Sequence, residues 1–262
     1  MIRTASVRSF VLSALVACLC AAPLAAPLSA HAAADAAPDT AAVANTADET
    51  AQNGEEEAAS EGAAKKPAAP KIQLFGTVEV RRPVKTLPVW LQVLQKNEAN
   101  PIFTPGSRLN ASTTWDELKA RAKGLSRLDT LKLVNKFWNQ WPYREDREAY
   151  GQPDYWAAPY EFRKTSGDCE DYSIAKYFTL KELGFSTDEM RVVVVMETIR
   201  NIAHAVLVVY LDGEAYVLDN LSANVLPHSR LRNYLPQYSV NEKYRWSHMK
   251  PKKQPTSKRA KK

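Results

Sequence analysis

Cysteine, histidine and glycine are all scarce in this chain: three, four and nine among 262 residues. Two of the cysteines, Cys18 and Cys20, lie in an N-terminal stretch with the features of a cleaved secretion signal, so the mature chain is expected to keep Cys169 alone. One remaining cysteine excludes an internal disulfide. One thiol and scattered histidines also exclude a zinc site, which needs ligands at regular spacing. An unbroken apolar run long enough to span a membrane is missing as well. The N-terminal run begins at Phe10 and passes through Val16 to about Leu28, but Pro23 and Pro27 interrupt it. With Arg3 and Arg8 ahead of it and the small residues of Ala30-His31-Ala32 behind, it reads as a signal peptide over residues 1–32. Leu15-Val16-Ala17-Cys18 also resembles a lipoprotein box. The apolar run continues past Cys18, which makes lipidation there the weaker option.

Residues 33–70 have almost no large apolar side chains and are rich in Ala, Glu, Asp, Thr and Pro. Such a stretch buries too little surface to offset its ordering entropy, so it is expected to be a disordered linker. Residues 250–262 form a basic tail without periodicity. Between them, residues 71–249 have the length of one ordinary domain. The net charge of +6 divides unevenly: +2 in the signal, −6 in the linker, +7 in the tail and +3 in the domain. The basic excess sits in a tail and not on a face, which argues against nucleic acid as a partner.

Within the domain, Leu74 to Val80 alternates as an opening strand would, with Pro83 ending it, and Pro88 starts a short apolar-periodic helix. Thr114-Trp115-Asp116-Glu117 fits a capping box, with Gly124 as the stop of that helix. A further helix carries Leu128, Leu131, Val134 and Trp138 and closes at Pro142. Tyr143 to Lys164 reads as a long polar and aromatic connection, and long ordered loops tend to be functional. A helix from about Cys169 to Leu183 follows, then strand candidates over 191–198, 204–211 and 214–219. Helices first and a meander of strands afterwards is an α+β pattern.

The run Gly167-Asp168-Cys169-Glu170-Asp171-Tyr172 is the most informative in the chain. With Asp168 as N-cap, Cys169 is the first helical residue, where unpaired N–H groups and the helix dipole favour a thiolate. The neighbouring carboxylates oppose that second anion. A histidinium or a cation held by the acids resolves the conflict. Taken alone, the run reads better as a helix capped by Asp168 and Asp171 beside a small buried thiol. The turn dipeptide Asp212-Gly213 adds the rest. A two-residue turn there pairs Leu211 with Glu214 and sets His204 and Asp219 as diagonal neighbours on one sheet face, within hydrogen-bonding reach. A nucleophile, a base and an orienting acid result. His228 and His248 lie in polar stretches and are expected at the surface.

Four segments carry a family resemblance: Tyr155-Trp156-Ala157-Ala158-Pro159, the Gly167–Tyr177 run, Ala203-His204, and Val217-Leu218-Asp219-Asn220-Leu221. They resemble the bacterial transglutaminase-like cysteine proteases of the LapG type, over nearly all of the domain. The resemblance implies a papain-like, transglutaminase-like α+β fold, with the nucleophile at a helix start packed on an antiparallel sheet. It implies Cys169 as nucleophile, His204 as general base and acid, and Asp219 as orienter. Calcium (Ca2+) dependence is implied too, with Asp168 and Glu170 matching the family's calcium-binding acids and Asp171 an outside candidate. Two carboxylates are too few for that ion, so further ligands are required. A cysteine endopeptidase of the periplasm is implied, cutting an alanine-rich site near the N-terminus of a large surface adhesin and promoting biofilm dispersal. The implied regulator is an inner-membrane cyclic di-GMP receptor that sequesters it. The small residues of such a site would suit a narrow groove walled by aromatics such as Trp156. The alternatives are a non-catalytic, calcium-stabilised binding module on the same fold and a transglutaminase-type acyl transferase.

Overall fold

The computed structural model describes residues Ile72–Pro251, so the expected signal peptide, linker and most of the basic tail lie outside the described residues. Six helices are placed before the bulk of the sheet. They are α1 (Pro88–Ala99), α2 (Trp115–Ala122), α3 (Arg127–Trp138), α4 (Asp146–Ala149), α5 (Pro159–Thr165) and α6 (Cys169–Glu182). The strands are β1 (Val78–Pro83), β2 (Met190–Glu197), β3 (Ile202–Leu211), β4 (Glu214–Leu218), β5 (Leu226–Pro227), β6 (Tyr234–Val240) and β7 (Tyr244–Met249). They form one sheet in the order β1-β7-β6-β2-β3-β4-β5. Every neighbouring pair is antiparallel. This is the α+β fold expected, with helix α6 laid on the sheet.

Local chemistry accounts for the element ends. Thr114 and Glu117 form the reciprocal capping box that starts α2. Gly124 and Gly184, at φ 79° and 92°, follow the ends of α2 and α6 in the left-handed region that glycine alone adopts freely. Pro159 opens α5 at its first position, where a missing N–H costs nothing. The connection expected over Tyr143 to Lys164 therefore holds two short helices, α4 and α5.

Two other expectations shift. Leu74–Gly76 is a 3-10 turn, and the opening strand begins only at Val78. Strands β6 and β7 were not foreseen, because Pro236 and the charges of the last segment break the strand pattern. Asp212 and Gly213 take φ values of 51° and 81°, as a two-residue hairpin of the primed type requires. Leu211 then faces Glu214 and Leu207 faces Leu218.

The sheet has two packed faces. Against one, α1, α3 and α6 bury Trp90, Val134, Trp138, Ile174 and Phe178 with Leu207, Val209 and Leu218. On the other, Leu74, Val193, Val206, Val208, Val217 and Tyr234 form a smaller cluster. Helix α6 is enclosed on almost every side, since Glu170 through Leu180 are all buried. A helix so enclosed is a rigid mount for whatever stands at its first residue.

Candidate active site

Cys169 stands at that first residue, with Asp168 at the N-cap. The lead-in is held from three sides. Tyr143 bridges to Gly167, and the Arg144 N–H donates to Gly167 O at 2.9 Å. The Tyr150 hydroxyl donates to Ser166 O at 2.6 Å. Ser166 itself has φ 70°, a strained value for a residue with a side chain, immediately before the motif. Asp171 completes the clamp by accepting from Ala157 N–H at 2.7 Å and from Asp168 N–H at 3.3 Å. Both its oxygens are thus used to tie the Tyr155–Pro159 segment to the start of α6.

His204 lies near the start of β3 and Asp219 just beyond β4. The hairpin register brings them together as expected: His204 Nε2 and Asp219 Oδ1 are 2.9 Å apart, and both side chains are buried. Asp219 Oδ1 also accepts from Leu221 N–H at 2.9 Å, and Oδ2 accepts from the Tyr234 hydroxyl at 2.5 Å. Burial works against the Asp219 charge, but these bonds, led by that from His204, hold its carboxyl below the ordinary range. An ionised Asp219 can only accept, so the proton of the pair sits on Nε2, and Nδ1 is the basic nitrogen. Tyr234 was missed from sequence, because it comes from a strand that the pattern did not show.

The thiol is placed beside β3 but is not bonded to His204. Among the described residues its hydrogen-bond partner is Glu170, with Sγ donating to Oε2 at 3.3 Å. Burial first, and then the charges of Glu170 and Asp168, push the thiol well above its usual range, while the Ala205 N–H pulls it down. The same crowding raises Asp168 to about 8 and Glu170 to about 7, burial leading in both.

Asp168 and Glu170 are joined by two acids that sequence reasoning did not single out. Asp146 and Asp154 come from the long connection, and each groups with motif acids so closely that their oxygens lie within 4.8 Å of one another. The groups are Asp146, Asp154 and Glu170, and Asp146, Asp168 and Asp171. Asp146 accepts from Tyr155 N–H at 2.6 Å through Oδ2, and burial raises it to about 6. Its Oδ1 and Asp168 Oδ1 are buried with no partner. Orphaned hard oxygens among repelling carboxylates fit a divalent cation such as calcium, and they add candidate donors to the two acids of the motif. The density of acids in Glu145, Asp146, Glu148 and Asp154 was the available signal.

Three expectations need correction. Trp156 is buried and packs edge-on against Trp90 at 6.3 Å, so it belongs to the core and does not wall a groove. Tyr143, 52 % exposed, is bridged through its backbone to Gly167, two residues before the thiol. His228 and His248 are not surface residues. His228 Nδ1 accepts from Phe75 N–H at 3.0 Å, and His248 lies 2.9 Å from both Thr77 Oγ1 and Ser239 Oγ.

Residues 110–254, more than half of the chain, match the family of bacterial transglutaminase-like cysteine proteinases. Similar solved structures include LapG of Legionella pneumophila, 35% identical over 51% of this chain and 75% of that one, with a TM-score of 0.46. The EGTA-treated form of that protein matches at 35% identity over 51% of this chain and 73% of that one, TM-score 0.46. Its calcium-bound form is 31% identical over 60% of this chain and 86% of that one, TM-score 0.48. No curated protein matches significantly. On the strength of the family match and the shared sequence, the chain belongs to the bacterial transglutaminase-like cysteine proteinases.

Proposed function

We propose that this protein is a calcium-dependent cysteine endopeptidase using Cys169, His204 and Asp219. The observation that carries the reading is the buried His204–Asp219 pair at 2.9 Å, placed on the strand beside the helix that starts with the family's cysteine. Asp219, fixed by Tyr234 and Leu221, orients His204 and stabilises its charged form. His204 Nδ1 takes the thiol proton, and Cys169 Sγ attacks a peptide carbonyl. The Cys169 N–H, without a helical acceptor at the first position, donates to the oxyanion that forms. His204 then protonates the leaving amine, and the same nitrogen activates water to hydrolyse the thioester.

Asp168 and Glu170, with Asp146 and Asp154, would hold calcium. When bound, the ion neutralises the negative charge that now keeps the thiol protonated. With that charge offset, the thiol, which now donates to Glu170, would release its proton more readily to His204. The calcium-bound LapG structure supports this reading. The substrate proposed is the N-terminal region of a large surface adhesin, cut at an alanine-rich site to release it and promote biofilm dispersal. The setting proposed is the periplasm, with an inner-membrane cyclic di-GMP receptor sequestering the enzyme. The family resemblance and the signal-like N-terminus support these.

The test is cleavage of an N-terminal adhesin fragment from the same genome, followed on a gel with calcium, with chelator and with Cys169→Ala. Calcium-dependent cutting that the substitution abolishes is the expected result. Absence of cutting, together with a Cys169 that alkylates like a free thiol, would sink the enzyme reading in favour of a binding module.

A further inference from the structure

Lys176 is the one lysine or arginine among the described residues that is wholly buried, at 0% exposure. Its Nζ has no hydrogen-bond partner. An enclosed amino group without a hydrogen-bond acceptor is among the costliest groups a fold can bury. It stands two turns along α6 from Cys169, at a spacing that keeps both on one face of the helix.

Two bonds fix what it faces. Trp138 Nε1 donates to Thr179 Oγ1 at 2.7 Å, and the Tyr172 hydroxyl donates to Trp141 O at 2.5 Å. They set α3 and α6 antiparallel and place Lys176 between them, opposite the end of α3. That end grips the segment carrying Asp219. Asn139 Nδ2 donates to Asp219 O at 2.8 Å and to Ser222 O at 3.0 Å, and Asn135 Nδ2 donates to Ser222 O at 2.8 Å. The Oδ1 atoms of Asn135, Asn139 and Asn220 are all buried and unpartnered. A buried donor without an acceptor and three buried acceptors without donors thus belong to the residues that surround one short segment.

We propose that Lys176 is a positioning residue of the protease, whose buried amino group faces the segment that carries Asp219 and adds a positive potential to the hydrogen bonds that hold its carboxylate toward His204. The proposal rests on the reading of His204 and Asp219 given above. Burial lowers Lys176 to about 7, and Asp219 is the charge that pulls it back up. Behind Asp219 stand His204 and Tyr234, both hydrogen-bonded to it. From α3 and its C-terminal cap the uncharged Asn135 and Asn139 bond the segment, and on α6 the Tyr172 ring lies 5.8 Å from Nζ. Arg200, on the β2–β3 turn, also feels the charge of Asp219, but it is engaged by Glu197 at 2.7 Å. Loss of the Lys176 charge raises the pKa of every acid and base near it, so the reactive range of the thiol–imidazole pair moves to higher pH.

Two measurements test this on the full chain with calcium present. In the first, the Lys176 13Cε resonance is titrated by NMR in the wild type and in Asp219→Asn. A midpoint at least half a pH unit lower in the variant is expected, and an unmoved midpoint overturns the coupling. In the second, the rate of Cys169 alkylation by iodoacetamide is followed against pH. Lys176→Met is expected to move the inflection up by half a pH unit or more, and Lys176→Arg to restore it. A rate lowered equally at all pH values, with the inflection in place, marks a packing role alone and overturns the proposal. If Lys176→Met fails to fold, the NMR comparison decides. A wild-type profile like that of a free thiol would remove the triad reading and this proposal together. A normal wild-type profile superimposed on that of Lys176→Met would remove this proposal only.

Discussion

Gly167 and Asp171 stand so close that a Cβ on the glycine would lie 1.9 Å from Asp171 Oδ2. The carboxylate occupies the space of the missing side chain, and from there it bonds Ala157 and Asp168. The chain leading into Cys169 is therefore shaped by a glycine that leaves room and an aspartate that reaches into it.

Gly167→Ala is expected to displace Asp171 and loosen both bonds. Overpacking of this kind costs about 1–3 kcal/mol. Urea unfolding should show the midpoint falling with an unchanged slope. Cys169 alkylation should slow as well, because the helix start loses its tether. A midpoint equal to the wild type's would mean that Asp171 does not need its present position.

Tyr234 gives the second prediction. Its hydroxyl bonds the Asp219 oxygen that His204 does not use. A hydrogen bond to a charged group contributes about 1.5–3 kcal/mol. Tyr234→Phe should therefore reduce kcat by roughly tenfold or somewhat more with little change in KM. Asp219→Ala should reduce it further and Cys169→Ala to nothing. A Tyr234→Phe enzyme as fast as wild type would show that Leu221 N–H and His204 suffice to fix the acid.

The pairing of His204 with Asp219 was legible for particular reasons. Asp212-Gly213 is a turn whose length sets the register, and register alone decides that His204 and Asp219 share a face. The N-terminal position of Cys169 followed from a short run of capping residues. What was illegible came from distance. Tyr234 reaches Asp219 across strands whose own pattern is broken by Pro236 and by charge. Asp146 reaches Asp168 only after the long connection folds back through α4. The half-buried, hydrogen-bonded state of His248 depends on β7 pairing with both β1 and β6, which no local signal announces. Trp156 failed in the opposite sense: its neighbourhood in sequence suggested the groove, while Trp90, far away in the chain, claimed it for the core.

The calcium reading makes Asp146 the most informative ligand to remove, since it lies outside the cysteine motif. A ligand that binds only the folded state stabilises it by about 2.7 kcal/mol at a concentration of 100 Kd. Tm should rise with calcium in the wild type and rise much less in Asp146→Asn at the same concentration. Alkylation of Cys169 should show the same calcium dependence. An Asp146→Asn protein with the wild-type calcium response would restrict the site to the motif acids and Asp154.

His248 predicts how stability depends on pH. Burial pushes it from 6.5 to about 4, with smaller and opposing effects from Glu79 and Arg191. The bonding explains why the neutral form is kept. The Thr77 hydroxyl already donates to Leu74 O, so Thr77 Oγ1 accepts from His248 Nδ1–H, and Nε2 is left to accept from Ser239. Protonating Nε2 would oppose that second donor. The unfolded chain takes up its proton as pH falls through about 6.5, whereas the folded chain resists until about 4. The stabilisation is thus complete above pH 6.5 and is lost progressively down to pH 4, up to about 3 kcal/mol and less where solvent reaches the ring. His228, also lowered by burial, contributes with the same sign. Urea unfolding of the wild type and of His248→Gln at pH 7 and pH 4.5 checks this. The variant is expected to be less stable at pH 7 but to lose less on acidification. Equal losses in the two proteins would assign the acid sensitivity instead to the carboxylates held below their ordinary range, Asp219, Glu161 and Glu197.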